Sequence, residues 1–369
     1  MKVVFLSNFF NHHQKPFSDE LYKLNSDYFF IETEDVRDEQ RKMGYEIFNK
    51  PIYVLRYEHD KEICDKLINN ADVVIFGSAP EYLIKRRIRN NQLIVRYSER
   101  PLKKKLNLIY YLSRLIKWNL RIPFWKPIYI LCASAYTAGD YKLFGMYIGK
   151  AYKWGYFTTV KDFDSVDDVL KKKRKNSILW ASRLISWKHP EVAIELAEYL
   201  KEKSIPFEIN IIGTGICEEP LRKMIEKKHL NDEVHMLGVK NPVQVREYME
   251  QSEIFISTSD RMEGWGATVN EAMSSMCAVV ADEQIGSVPY LIDNGNNGFS
   301  YKTKMELFEI VEHLLLNREM RNDIARNAYQ TMLKMWSPKV AASRLLVMLE
   351  KLRQKGQCDT FESGPCSRA

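Results

Sequence analysis

Apolar positions along the chain fall into two series of short runs, separated by stretches with helical spacing. In the first half, 2–7, 28–32, 52–55, 73–77, 93–97 and 128–132 read as strands apolar on both faces. Such runs suit a parallel sheet covered by helices on each side. After 176 the alternation begins again. Strands are predicted at 177–181, 207–212, 234–237, 253–257 and 278–281, and helices at 190–203, 218–229, 242–251, 304–316 and 318–334. Trp336-Ser-Pro338 breaks the pattern before a last helix to about 353. Two βα series predict two Rossmann-like, doubly wound α/β domains. Their expected spans are 1–160 and 177–335. A charged linker, 161–176, is expected between them, with helix 336–353 packing back on the first domain and a disordered polar tail at 354–369.

Composition supports that division. The chain has 369 residues and is 45% hydrophobic, which fills two cores. It shows no signal-like start and no apolar run of spanning length. The six cysteines are scattered without a C-x-x-C pair and read as reduced core residues of a cytoplasmic protein. The net charge of +7 is unevenly spread: from Lys85 to Lys126 the sole acid is Glu99. Within that basic stretch, 101–121 has a helical face of Leu102, Leu106, Ile109, Ser113, Ile116 and Leu120. Beside it run Lys103, Arg114, Lys117 and Arg121, with Tyr111 and Trp118 nearby. A basic amphipathic helix flanked by aromatics predicts contact with an anionic membrane surface, on the inner face of the cell membrane. The competing reading is a domain helix with a solvated basic face.

Candidate chemistry concentrates at 253–276. A strand leads into Glu263-Gly264-Trp265-Gly266-Ala267, and a helix with Val269, Ala272 and Met273 on one side follows. Strand, glycine turn and helix start together make an anion site, because free N–H groups and the helix dipole converge there. Glu263 lies in the turn and Glu271, eight residues on, about one turn into the helix. His12 and His13 follow the first strand, where open α/β sheets place ligands. Asp162-Phe-Asp164 matches a D-x-D metal motif by chance, since it falls in the linker.

These motifs resemble those of the retaining family 4 glycosyltransferases. Ser182-Arg-Leu-Ile-Ser-Trp-Lys188 is similar to the family's G-R-L-x-x-x-K-G element. Gly213-Thr-Gly215, Val234-His-Met-Leu-Gly238, Glu263-x7-Glu271 and Asn294-Gly-x-x-Gly298 follow in the family's order. The resemblance is close over 177–334 and loose before it. It implies the GT-B fold: two Rossmann-like domains facing across a cleft. It also implies transfer of a hexose-type sugar from a UDP- or GDP-linked donor to a glycan or lipid-linked acceptor, as in surface-polysaccharide synthesis.

By that resemblance Arg183 and Lys188 stabilise the departing diphosphate in place of a metal, and no cofactor is needed. Glu271 takes the ribose hydroxyls, Glu263 the sugar near its anomeric carbon. Gly213, Gly215, Leu237, Gly238, Gly264, Trp265, Gly266 and Ala267 complete the donor site. Three departures stand out. Ser182 replaces a glycine, and His189-Pro190 follows Lys188 where glycine is usual. A histidine that many relatives carry at an N-domain strand end is replaced by Tyr97-Ser-Glu-Arg100. That leaves His12, His13 or Glu99 for the acceptor side, with His13 a candidate catalytic group.

Other readings are a nucleotide-sugar 2-epimerase-like GT-B enzyme and a non-catalytic nucleotide-sugar or nucleic-acid binder. No nucleic-acid motif accompanies the basic stretch. A dinucleotide oxidoreductase fits poorly, because Glu218 stands where G-x-G-x-x-G has its third glycine.

Overall fold

The structure, a computed structural model, describes residues 1–36, 49–104, 111–116, 123 and 125–369. Leu106, Ile109, Lys117, Trp118, Leu120 and Arg121 of the predicted basic helix lie outside the described residues. The chain forms two compact units, Met1–Thr158 with Met335–Ala369, and Thr159–Lys334.

In the first unit seven parallel strands form one sheet: β1 (Val3–Ser7), β2 (Tyr28–Glu32), β3 (Val54–Arg56), β4 (Val73–Phe76), β5 (Ile94–Ser98), β6 (Ile128–Cys132) and β7 (Ala151–Lys153). Their order is β3-β2-β1-β4-β5-β6-β7, so the winding reverses between β1 and β4. All five residues of β1 are buried, as an apolar run in mid-sheet requires.

Part of the basic stretch turns inward. The Arg87 guanidinium is buried and donates to the carbonyls of Ile68, Ala71 and Leu93 at 2.8–2.9 Å. Arg96 pairs with Glu81 and lies over the Phe76 ring, and Arg100 pairs with Asp140. Helix 111–116 rests Tyr111 and Leu115 on the core and leaves Leu112 and Ile116 exposed.

The helix Pro338–Lys355 packs on Lys15–Leu24 within this unit. The tail is ordered, against the sequence expectation. Lys153 N–H donates to Ser367 O, and Cys366 N–H to Lys153 O, both at 2.8 Å. Strand β7 is a sheet edge with unpaired backbone groups, and the tail satisfies them.

The second unit has six parallel strands: β8 (Arg174–Ala181), β9 (Glu208–Ile212), β10 (Val234–Gly238), β11 (Ser252–Ser257), β12 (Ala278–Asp282) and β13 (Phe299–Tyr301). The order β10-β9-β8-β11-β12-β13 places the topological switch between β8 and β11. The expected linker belongs to this unit. Ser165 caps a helix, Val166–Lys172, whose Leu170 packs with Met276, Ala325 and Tyr329. Lys173 is buried, and its ammonium donates to the carbonyls of Ser252 (2.7 Å), Ser275 (3.0 Å) and Met249 (3.2 Å). A linker reading from charge alone fails here because backbone carbonyls solvate the cation inside the fold.

Candidate functional site

Everything proposed for the donor lies at the carboxyl ends of β8, β9, β10 and β11. The loop after β8 leans on the loop after β9: Ser182 N–H donates to Ile212 O (3.1 Å) and Leu184 N–H to Thr214 O (2.9 Å). Glycine is required at 213, whose φ is +145°. A Cβ there would stand 1.8 Å from the Ser182 carbonyl oxygen. Gly213 N–H in turn donates to Gly238 O at 3.0 Å. Gly213, Gly215, Leu237 and Gly238 are thus brought together, with Gly213 and Gly215 buttressing the loop that carries Arg183. The Arg183 guanidinium lies 5.5 Å from the Trp187 ring centre and the Lys188 ammonium 4.6 Å from it. Trp187 therefore gathers both expected cations against its ring.

The loop after β11 closes the other side. Lys188 is buried and forms an ion pair with Glu263. Thr258 Oγ1 accepts the Trp180 indole N–H at 2.8 Å and lies 2.7 Å from Lys188 O. Asp260 N–H donates to Trp187 O at 3.1 Å. Gly266 has φ +86°, and a Cβ would press Ile285 Cγ2 at 2.7 Å, so the turn into helix Ala267–Ser274 needs glycine. Gly264 and Ala267 flank that turn.

Trp265 was expected to serve the donor through its backbone amide, and its side chain is turned inward. Its ring is buried, its indole N–H donates to Asn270 Oδ1 (2.8 Å), and its carbonyl accepts Ser287 N–H. Its side chain is core, because an indole this large fills the space beneath the turn.

Glu271 sits one turn into the helix. Burial pushes its carboxyl up to about 7, against the opposing pull of Arg246. Arg246 also donates to Glu271 O at 2.6 Å. Arg246, Trp187 and Thr258 were not singled out from sequence: Trp187 fills a variable position of the 182–188 element, and the other two belong to no motif. His189 was visible only as a departure after Lys188.

In the first unit, His12 and His13 lie in the loop after β1. Burial lowers both imidazoles, His12 to about 4 and His13 to about 3, the latter also through its neighbour His12. Both are therefore neutral near pH 7. His13 stacks on Tyr156 at 5.8 Å, Tyr156 Oη donates to Glu99 Oε1 at 2.6 Å, and Lys103 holds Glu99 Oε2 at 2.9 Å. The three acceptor-side candidates thus form one cluster, joined through Tyr156. Among the described residues, Asp162 and Asp164 included, no three His, Cys, Asp or Glu side chains are grouped to hold a metal ion.

Two sheets wound in Rossmann fashion, with this site at the second switch point, define a GT-B protein. Solved structures agree on the fold. Anabaena HepE in complex with UDP has a TM-score of 0.69 at 14% identity, covering 95% of this chain and all of that one. The pneumococcal O-GlcNAc transferase GtfA in complex with UDP and GlcNAc has a TM-score of 0.68 at 11% identity, covering 96% and 99%. Residues 162–331 match the family described as Glycosyl transferases group 1, and this part of the chain is a domain of that family.

Among curated relatives, the amylovoran biosynthesis glycosyltransferase AmsK of Erwinia amylovora is 34% identical over 127 residues, 33% of this chain and 31% of its own length. The poly(ribitol-phosphate) alpha-N-acetylglucosaminyltransferase of Staphylococcus aureus is 31% identical over 140 residues, 37% of this chain and 28% of its own. The matched stretch therefore spans under a third of these relatives.

Proposed function

We propose that this protein is a retaining glycosyltransferase of surface-polysaccharide synthesis, moving a hexose-type sugar from a UDP-linked donor to a glycan or lipid-linked acceptor. The observation that carries this reading is the joining of Lys188 to Glu263 beside Arg183 and the start of helix Ala267–Ser274. A donor laid there meets cations and helix amides at its diphosphate and a carboxylate at its sugar. The bond from the anomeric carbon to the diphosphate breaks, and Arg183 and Lys188 take up the charge that grows on the leaving group. The acceptor oxygen bonds to the anomeric carbon on the same face, and its proton passes to the leaving phosphate oxygen. Glu263 orients the sugar, and Glu271 receives the ribose hydroxyls.

The UDP complexes of the structural neighbours and the relatives' names support the donor and the setting. In the described part of 101–121, the exposed Leu112 and Ile116 support peripheral contact with an anionic membrane. No described helix is long and apolar enough to cross one.

The test is a panel of UDP- and GDP-sugars assayed for hydrolysis and transfer, with and without membrane extract and with EDTA. Turnover of one UDP-sugar that survives EDTA is expected. Tight nucleotide binding with no turnover would leave a non-catalytic binder, and loss of activity in EDTA would end the metal-free scheme.

A further inference from the structure

His189 occupies the position after Lys188 with φ +48° and ψ +52°, the left-handed region. An L side chain reaches that region only against steric resistance, and a residue held there needs contacts to keep it. Its backbone bonds Ser186 O, Val192 N–H and Thr258 Oγ1, and its ring adds two more contacts. Nδ1 lies 3.0 Å from Glu191 Oε1, and Nε2 lies 3.4 Å from Asp260 Oδ2.

Asp260 is itself a hub. Its Oδ1 accepts Met262 N–H at 2.8 Å, and its backbone carbonyl accepts Glu263 N–H at 3.0 Å. A continuous path therefore runs from the His189 ring through Asp260 to the backbone of Glu263, whose carboxylate returns to Lys188. The path starts at His189 and ends at Lys188, the residue just before it.

We propose that His189 is a positioning residue, which ties the turn carrying Lys188 to the loop carrying Glu263 and so fixes the phosphate-side cation relative to the sugar-side carboxylate. This rests on the donor site described above. A glycine at 189 would suit the backbone and leave the Asp260–Glu263 loop held to this turn by backbone and Thr258 contacts, such as Asp260 N–H to Trp187 O, without the side-chain tie to the Asp260 carboxylate. The imidazole supplies a side-chain tie that glycine lacks, which offsets the strain of a histidine at this turn.

The full-length chain is studied as wild type, His189→Gly, Asp260→Asn, Glu191→Gln and the His189→Gly/Asp260→Asn double variant. UDP binding to the wild type, by titration calorimetry, tests the underlying reading alone: a chain that binds no UDP fails there, whatever His189 does. Given binding and a donor that is turned over, His189→Gly should lower kcat tenfold or more while donor KM and UDP affinity move less than threefold. Its melting temperature should not fall, since glycine relieves the left-handed strain. Asp260→Asn keeps an oxygen for Met262 N–H and should show the same split between kcat and KM. The double variant should be no worse than the poorer single, and Glu191→Gln should stay within threefold of wild type. Unchanged kcat in His189→Gly would overturn the proposal. So would losses that track a fall in melting temperature, multiply in the double variant, or are as large in Glu191→Gln.

Discussion

Lowering the pH from 8 to 6 should weaken UDP binding about tenfold, and Glu271→Gln should remove that dependence. Burial lifts the Glu271 carboxyl from its ordinary 4.5 to about 7. Two ribose hydroxyls each need an acceptor, and only the ionised carboxylate offers both oxygens without a competing proton. A group of that pKa is roughly nine-tenths ionised at pH 8 and one-tenth at pH 6, a factor of about ten or about 1.4 kcal/mol. Binding is therefore strong above the raised pKa and lost as the pH falls through it. The sign for stability is opposite. Between 4.5 and 7 the folded chain holds a proton that the unfolded chain has released, so stability declines as pH rises through that window. Glu271→Gln should accordingly melt higher than wild type at pH 8. The assay is titration calorimetry of UDP at three pH values on both proteins. Free UDP titrates its own terminal phosphate in this range, so the quantity that counts is the ratio of wild-type to variant affinity. A ratio that stays flat from pH 8 to 6, or binding that tightens on acidification, would refute an ionised Glu271 at the ribose.

Three further outcomes are expected. Arg183→Ala and Lys188→Ala should each slow transfer about a hundredfold at saturating donor, because each removes a fixed charge from the leaving diphosphate; a loss under threefold would remove that residue from the reaction. Gly213→Ala should cost about 2–3 kcal/mol and lower the melting temperature by about 5 °C or more, since the new Cβ meets the Ser182 carbonyl and the backbone must shift. Arg321→Met should destabilise by about 3–5 kcal/mol in chemical unfolding, because it strands Glu253, which is buried and paired with Arg321 at 2.7 Å; Arg321→Met with Glu253→Gln should recover part of the loss.

Legibility in the sequence followed the range of the physics involved. Central strands are apolar on both faces, so β1, β4, β6, β9 and β11 show as runs. The strands β7 and β13, at sheet edges and three residues long, carry no period to detect. Glycines at 213 and 266 were legible because close approach and positive φ are local demands. The ties that make a site of these motifs were not. Lys188 and Glu263 stand 75 positions apart and meet only because the winding makes β8 and β11 neighbours. Charge was the least legible property. Arg87 sits in the basic stretch and Lys173 in the expected charged linker, yet both are buried among backbone carbonyls. A carbonyl at a strand or helix end leaves no trace in residue type, so sequence cannot distinguish a cation it solvates from one awaiting an anion. The two kinds part on what remains for a ligand: the Arg87 fork is occupied by carbonyls, whereas Arg183 is exposed beside the Trp187 ring. Anion binding to the first unit should therefore be weaker than a count of basic residues from 85 to 126 implies.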